Sequence, residues 1–173
     1  MDHISLLLGN GCSLLATLSN MFASTRKTAR GVLLVQSLGQ VFYFLCGILL
    51  KAYSGAVQNA LSIVRNFAAM GKKKSKWVEW ALIAAGVVLG VVFNNRGLAG
   101  WLPIVGNLEY SLAVFRFHDN ERMLKAALVV SLLIFVVFNL IIGNYVGAVA
   151  DTVVAVTTVA NLWRTREKKD KNV

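Results

Sequence analysis

Charged residues are scarce in this sequence. They form 15% of its 173 residues, against about 25% in a typical soluble domain, whereas 57% of the residues are apolar. Cysteine occurs only twice, as Cys12 and Cys46 in apolar runs, which excludes a disulfide framework or zinc knuckles and favours two small buried side chains. The single proline excludes proline-rich disorder. This composition argues against a soluble enzyme and indicates a membrane protein.

Long apolar runs are the dominant feature of the chain. Seven stretches of roughly 18–20 residues have the length that a helix needs to cross a bilayer. No segment alternates apolar and polar residues over the length of a membrane β-strand. We therefore predict an all-α integral membrane protein with seven transmembrane helices. The stretches are Ile4–Ala23, Gly31–Leu50, Tyr53–Met70, Trp77–Asn94, Gly97–Phe115, Met123–Ile142 and Tyr145–Trp163.

The basic residues indicate an orientation. Of eighteen Lys and Arg, fifteen lie in the first, third and fifth loops and in the C-terminal tail. Lys51 and Arg96 lie on the opposite side, and Arg65 lies inside the third helix. The positive-inside rule then predicts an outside N-terminus and a cytoplasmic C-terminus. Basic residues in short loops beside membrane segments favour the lipid bilayer as partner and, without interleaved aromatic residues, argue against nucleic acid.

An internal repeat relates the two parts of the chain. The sequence Tyr53-Ser-Gly-Ala-Val in the third helix recurs as Tyr145-Val-Gly-Ala-Val in the seventh, 92 residues later. At the same spacing the first helix aligns with the fifth and the second with the sixth. The fourth helix has no counterpart and is therefore a linker. We predict one membrane domain with two parallel three-helix repeats, residues 1–70 and 97–173, joined by a linker helix in residues 71–96. The second repeat includes the basic tail.

Three segments carry a resemblance to a known family. They are residues 47–66, residues 100–106 with the sequence Gly-Trp-Leu-Pro-Ile-Val-Gly, and residues 142–147 with the sequence Ile-Gly-Asn-Tyr-Val-Gly. On these segments the chain resembles the bacterial inner-membrane YgjV-like family over nearly its whole length. The three-one-three plan is similar to that of the SWEET, PQ-loop and PnuC transporter superfamily. The resemblance implies a bacterial inner-membrane carrier of small polar solutes, with a path between two triplets and Asn residues of each third helix near the solute.

The sequence departs from that superfamily at two places. The Pro-Gln pair is absent, since Pro103 is followed by Ile104 and the first helix has no proline. At the repeat spacing Gly11 stands opposite Pro103, and because both residue types weaken a helix, we interpret the two as hinge positions. Asp151 stands opposite Asn59, which places an ionisable group where the resemblance implies an amide.

Polar side chains inside the membrane are the candidate binding residues, because burying them in hydrocarbon is costly. Asn59 and Asp151 lie about 4–5 Å to the outer side of their helix centres, and Gln58 and Ser62 belong to the same polar stripe as Asn59. We predict that these four residues bind the substrate. Alternatively, such groups bond one another and hold the bundle together. Asp151 is either a proton-coupling carboxylate or a hydrogen-bond partner of Asn59 or of a substrate.

Arg65 and Glu109 form the second candidate pair. Arg65 lies about 5 Å, and Glu109 about 4–5 Å, to the cytoplasmic side of its helix centre. Because opposite charges stabilise one another in a low dielectric, we predict an ion pair between them across the two triplets. The pair is either a static structural contact or a cytoplasmic gate that breaks and reforms during transport.

Enzyme chemistry has little support in the sequence. His3 and His118 lie in the N-terminal tail and a loop, and no nucleophile, histidine and acid share one depth. Neither metal-ligand spacing nor a phosphate-binding loop occurs, so no metal and no cofactor are predicted. Two functions remain: transport of a small polar solute, and a non-transporting scaffold, accessory or sensor protein with a dry core. Gly86 and Gly90 in the linker helix allow close helix packing, either within the chain or in a homo-oligomer.

Overall fold

The fold is known from a computed structural model that describes residues 3–24, 29–70, 75–117 and 121–170. Over these residues the chain forms seven α-helices, one short 3₁₀ turn and no β-strand. The helices are α1 (His3–Ser24), α2 (Ala29–Leu49), α3 (Tyr53–Met70), α4 (Lys76–Val92), α5 (Trp101–Phe117), α6 (Glu121–Ile142) and α7 (Tyr145–Asp170). The prediction of an all-helical fold with seven helices is confirmed for the described residues.

Helix boundaries agree best where a turn interrupts the apolar pattern. α3 begins and ends at the predicted residues, Tyr53 and Met70. The predicted fifth helix starts too early, because Gly97–Gly100 forms a 3₁₀ turn and α5 begins after it. Pro103 falls in the first turn of α5, where its missing N–H breaks no helical hydrogen bond. α7 continues beyond its predicted end to Asp170.

Contacts between helices follow the chain and close into a ring. Each helix packs against the next one along the chain, α1 also packs against α7, and α3 also packs against α5. Six helices, α1, α2, α3, α5, α6 and α7, therefore form a closed ring. α4 lies outside the ring and buries Gly86 and Gly90 against it. We refer to α1–α3 as the first triplet and to α5–α7 as the second triplet.

Two helix–helix turns at one end of the ring have the same backbone pattern. Lys51 between α2 and α3 and Gly143 between α6 and α7 are both left-handed, with φ of 51° and 79°. The residue after each donates its amide hydrogen bond to the carbonyl five positions earlier, over 2.7 Å and 2.8 Å. Each residue in one turn lies 92 positions from its counterpart in the other. We refer to this end of the ring as the turn end, and to the end where α1, α3 and α5 finish as the basic end.

Apolar residues cover the outside of the bundle, and polar residues lie within it. Leu7 and Trp77 are 75% and 86% exposed, and they are two of many exposed large apolar side chains. In contrast, Gln58 and Asn144 are only 2% and 1% exposed. Large amides are mostly exposed in water-soluble proteins, so this distribution is typical of a bundle surrounded by lipid.

The helix α6 contains the clearest membrane-spanning stretch. Lys125–Ile142 has 18 residues and a mean hydropathy of 2.6, and within the described residues it alone is both long and apolar enough to cross a membrane. Shorter apolar stretches occur at Leu34–Leu49 in α2 and Tyr145–Ala160 in α7. One span therefore follows from length and composition, and the other six remain predictions.

Apolar side chains fill the middle of the ring near the turn end. Cys46, Leu50 and Ala52 form one cluster with Phe138 and Ile142 of α6. None of the five is more than 4% exposed. Because α2 and α6 belong to different triplets, this apolar core joins the triplets at the turn end.

Candidate functional site

Polar side chains of α3 and α5 meet where the two triplets touch. On α3, Gln58, Ser62 and Arg65 are spaced by four and three residues, so they lie on one face of the helix. On α5, Asn107 and Ser111 are one helical turn apart and face α3. We refer to these five residues as the Arg65 cluster.

Arg65 links the two triplets within this cluster. Its Nη1 atom donates hydrogen bonds to Asn107 Oδ1 over 3.2 Å and to Ser111 Oγ over 3.0 Å. Its guanidinium carbon lies 5.6 Å from the centre of the Tyr110 ring, within range of a cation–π contact. All of these partners are neutral. Among the described residues, the positive charge of Arg65 is therefore hydrogen-bonded but not balanced by an acidic group.

A chain of amide groups runs from the cluster to α4. Asn107 Nδ2 donates to Gln58 Oε1 over 2.6 Å, and Gln58 Nε2 donates to the backbone carbonyl of Gly86 over 2.7 Å. Ser62 Oγ donates to Asn107 Oδ1 over 3.4 Å. These bonds join three helices and satisfy amide groups that the interface would otherwise bury without partners.

Gly90 of α4 leaves room for this chain of amides. A Cβ atom at Gly90 would lie 2.6 Å from Gln58 Nε2 and 2.6 Å from Ile104 Cγ1, closer than van der Waals contact allows. A Cβ atom at Gly86 would lie at an ordinary distance, 3.5 Å from Gln58 Oε1. Both glycines therefore face other helices of the same chain. Of the two roles considered for them, this is close packing within the chain rather than in a homo-oligomer.

A gap between α3, α4 and α5 borders the cluster. Its polar wall is formed by Gln58, Asn107 and Ser111, and its apolar wall includes Val87 and Ile104. The cavity volume of the gap is about 10 Å³, which is room for about one water molecule. Pockets that enclose drug-sized ligands usually measure about 300–1,000 Å³, so the gap is far too small for such a ligand in this conformation.

The structure does not join Arg65 to Glu109, the pair that the sequence predicts. Glu109 precedes Tyr110 on α5 and follows Asn107 by two residues, which is a rotation of about 200° around the helix axis. Its side chain therefore points away from the face of α5 that meets Arg65. The Oε2 atom of Glu109 is buried and has no hydrogen-bond partner among the described residues. Arg65 and Glu109 thus lie at a similar depth along their helices, but Glu109 does not face the contact between α3 and α5.

A second polar cluster lies on α6 and α7, and we refer to Asp151, Asn139 and Asn144 as the Asp151 cluster. Asn139 Nδ2 donates to Asp151 Oδ2 over 2.8 Å, and Asn144 Nδ2 donates to Asn139 Oδ1 over 3.0 Å. Asn144 Oδ1 accepts from the backbone N–H of Gly147 over 3.1 Å. A Cβ atom at Gly147 would collide with the Asn144 side chain, so this close approach requires glycine.

The Asp151 cluster faces the first triplet through Tyr43. The hydroxyl of Tyr43 on α2 lies within electrostatic range of Asp151 and near the side chains of Thr17 and Asn20 on α1. α7 itself packs against α1. Carboxylate, phenol and amide groups thus meet at the second contact between the two triplets.

Asn59 is not a hydrogen-bond partner of Asp151. It is half-buried on α3, and within the described residues no hydrogen bond joins it to another side chain. The helices on either side of α7 are α6 and α1, so Asp151 meets Asn139 instead. Of the four predicted binding residues, the structure brings Gln58 and Ser62 together in the Arg65 cluster and leaves Asn59 and Asp151 apart.

Two amide side chains hold the turns at the turn end. Asn10 of α1 donates to Gly143 O and accepts from the N–H of Val146, both over 3.1 Å. Asn95 donates to Lys51 O over 2.8 Å and accepts from the N–H of Tyr53 over 3.2 Å. Each asparagine therefore bridges the carbonyl of a left-handed residue and the start of the next helix.

The two predicted hinge residues lie in different settings. Gly11 is exposed in the middle of α1, and a Cβ atom there would meet nothing within 4 Å. Pro103 is buried in the first turn of α5, directly after the 3₁₀ turn. Packing does not require glycine at position 11, and the proline marks a helix start, so motion at either place remains a prediction.

Asn107 and Asn139 are site residues that the sequence reasoning missed. Both lie inside long apolar stretches, where an amide is as costly as those noted on the other helices. The same criterion that selected Asn59 would therefore have selected them. Asn144 carried less signal, because it lies in a turn, where asparagine is common.

Comparison with known proteins assigns the chain to a family. Residues 7–169 match the model of Imp-YgjV, described as bacterial inner membrane protein. The chain belongs to this family. The match runs from the second turn of α1 to the last turn of α7, so it covers both polar clusters of this Imp-YgjV protein. The family description gives the bacterial inner membrane as its location, and the resemblance to YgjV-like proteins is confirmed. No curated protein and no solved structure matches the chain.

Proposed function

We propose that this Imp-YgjV protein transports a small polar solute across the bacterial inner membrane, along a path between the two triplets. The observation that carries the proposal is the Arg65 cluster, in which a cation and two amides cross the α3–α5 interface beside a gap. The Asp151 cluster occupies the other contact between the triplets. Helices in lipid pack well through small and apolar residues alone, so ionisable groups at both contacts favour a path for a polar solute.

The proposal includes seven membrane-spanning helices in a three-one-three plan like that of the SWEET superfamily. Its support is the spacing of 92 residues, which relates the starts of α2 and α6 as well as those of α3 and α7. The two left-handed turns obey the same spacing. The asymmetry of fifteen basic residues to two supports an outside N-terminus and a cytoplasmic C-terminus. The turn end would then face outward.

Transport by this chain requires a rearrangement. The apolar core of Cys46, Leu50 and Phe138 closes the middle of the ring at the turn end. The gap beside the Arg65 cluster is smaller than a typical ligand site. A solute therefore needs a change in how the triplets pack, which is the behaviour of an alternating-access carrier.

A non-transporting scaffold, accessory or sensor protein is the second proposal. The observation that favours it is the chain from Gly147 through Asn144 and Asn139 to Asp151, in which polar groups satisfy one another. A dry core held by such bonds needs no path for a solute.

Water access to Asn59 separates the two proposals. In a chain without Cys12 and Cys46, we would place a cysteine by Asn59→Cys and, as a matched control on the same helix, by Val64→Cys. Val64 is 52% exposed on the apolar outside of α3. Labelling of the first variant from one side of the membrane by an impermeant thiol reagent, with the second protected, would support a path. Protection of both variants from both sides would support the scaffold.

A further inference from the structure

Within the part of the chain that the structure describes, Arg65 carries its charge inside the bundle without an acidic partner. Among the described residues no aspartate or glutamate lies within ion-pair distance of it, and its contacts are with Asn107, Ser111 and the Tyr110 ring. A charge buried in low dielectric is costly unless an opposite charge compensates it. Neutral donors and a ring face stabilise the guanidinium only in part. None of the described groups supplies an opposite charge, and a bound anion would supply one.

We propose that the solute carried by this protein is a small oxyanion, with a carboxylate or phosphate group held by Arg65. This inference rests on the proposed transport function and names its substrate class. It makes Arg65 a binding residue rather than half of a gate.

The hydrogen bonds of Arg65 leave one edge of the guanidinium available. Nη1 is the nitrogen that contacts Asn107 and Ser111, whereas Nε and Nη2 have no hydrogen-bond partner in the part of the chain that is described. Neither atom is among the buried polar atoms that lack a partner, so both keep accessible surface. The Nε and Nη2 edge presents two parallel N–H groups, which match the two oxygens of a carboxylate or phosphate.

The contacts at Nη1 fix the orientation of this edge. Asn107 and Ser111 hold the guanidinium on α5 although it originates on α3, and both residues also line the gap. A cation already held in position loses little freedom when it binds an anion.

The depth of Arg65 favours a soluble anion over a lipid headgroup. The residue lies about 5 Å from the centre of α3 toward the basic end. The hydrocarbon core extends about 15 Å to each side of its middle, so lipid phosphates lie roughly 10 Å further out. A free anion that enters the path reaches Arg65 without this separation.

Thermal unfolding of the full chain in detergent, at constant ionic strength and pH 7.5, tests the proposal. The probes are lactate and inorganic phosphate, with lactamide as the neutral analogue of lactate. We expect lactate or phosphate to raise the unfolding temperature in a saturable manner, and lactamide to leave it unchanged. Arg65→Gln should abolish the response. The matched control is Arg116→Gln, which removes an exposed positive charge at the end of α5 and should respond as the wild type does.

A second variant keeps the test decisive if Arg65→Gln does not fold. Arg65→Lys retains the charge but not the paired N–H groups, and the half-saturating anion concentration should rise about tenfold, as loss of one charge-assisted hydrogen bond predicts. An equal response to lactate and lactamide, no response to either anion, or an unchanged response in both Arg65 variants would overturn the proposal. Stabilisation by phosphatidylglycerol vesicles alone would assign the site to lipid and overturn it as well.

The outcome is distinguishable from failure of the transport function. If lactate and phosphate leave the unfolding temperature of the wild type unchanged while Asn59→Cys is still labelled, the protein has a path for another class of solute. A wild type that responds to the anions while Asn59→Cys is protected binds an oxyanion without transporting it.

Discussion

The Nη1 atom of Arg65 lies 3.2 Å from the Oδ1 atom of Asn107. Through this hydrogen bond the charged guanidinium of the first triplet contacts an amide side chain of the second. The same Asn107 side chain donates from Nδ2 to Gln58. Asn107 therefore uses both ends of its amide at the interface, and Arg65 and Gln58 depend on it together.

Removal of this amide should weaken the fold. Asn107→Ala leaves Gln58 Oε1 without its donor and Arg65 with one fewer acceptor, so we expect a loss of about 1–3 kcal/mol in the free energy of unfolding. Val105→Ala on the same helix is the control, because Val105 is 47% exposed, and it should change stability by no more than about 0.5 kcal/mol. Unfolding in detergent micelles measures both values, and equal losses would contradict the role of Asn107.

A double-mutant cycle should show that Arg65 couples to Asn107 and not to Glu109. Arg65 and Asn107 are joined by a hydrogen bond. The loss of unfolding free energy in the double variant Arg65→Gln/Asn107→Ala should therefore differ by about 0.5–3 kcal/mol from the sum of the losses in the two single variants. Arg65→Gln and Glu109→Gln should add to within about 0.5 kcal/mol. A strong coupling between Arg65 and Glu109 would restore the predicted ion pair as a second conformation of the protein.

Two glycines should respond in opposite ways to alanine. Gly90→Ala places a methyl group against Gln58 and Ile104, so we expect destabilisation by about 1–3 kcal/mol. Gly11→Ala meets no neighbour and should stabilise α1 by up to about 1 kcal/mol. Thermal unfolding measures these shifts. If Gly11 is a hinge, solute uptake by the more stable Gly11→Ala protein should fall, and unchanged uptake would remove it as a hinge.

Asp151→Asn separates the charge of Asp151 from its hydrogen bond. An asparagine still offers an oxygen to Asn139 Nδ2, so the variant should fold with stability within about 1 kcal/mol of the wild type. If Asp151 couples transport to protons, uptake into liposomes should lose its response to a proton gradient. Glu79→Gln, which removes a carboxylate near the start of α4, is the control. Wild-type uptake that ignores the gradient, together with an active Asp151→Asn variant, would exclude coupling.

The sequence predicted helix identity well because hydropathy marks it directly. α3 has its predicted ends, since polar or glycine-containing turns flank it on both sides. α7 extends past Trp163 to Asp170, where the residues are too polar for lipid. Arg, Glu and Lys nevertheless have high helix propensity, so the helix continues after the apolar stretch ends. Hydropathy reports where a helix leaves hydrocarbon, not where it stops.

The site was less predictable because depth along a helix gives only one of two coordinates. Arg65 and Glu109 are at similar depth, but Glu109 faces away from α3. The direction around the axis follows from which helices are neighbours, and the sequence does not state that α3 packs against α5 or that α7 packs against α1. Gln58 and Ser62 were placed correctly with one another because they share a helix, where spacing alone fixes their face.

The asparagines at the turn end have a mechanical consequence. Asn10 belongs to the first triplet and hydrogen-bonds with the turn between α6 and α7 in the second. Asn95 follows α4 and hydrogen-bonds with the turn between α2 and α3 in the first triplet. Hydrogen bonds of these two asparagines therefore join the triplets at the turn end. If the triplets rock as the proposed transport requires, these contacts would let the basic end separate most and the turn end least. Opening at the turn end would first have to break the four amide hydrogen bonds, so the two directions of opening would differ in free-energy cost.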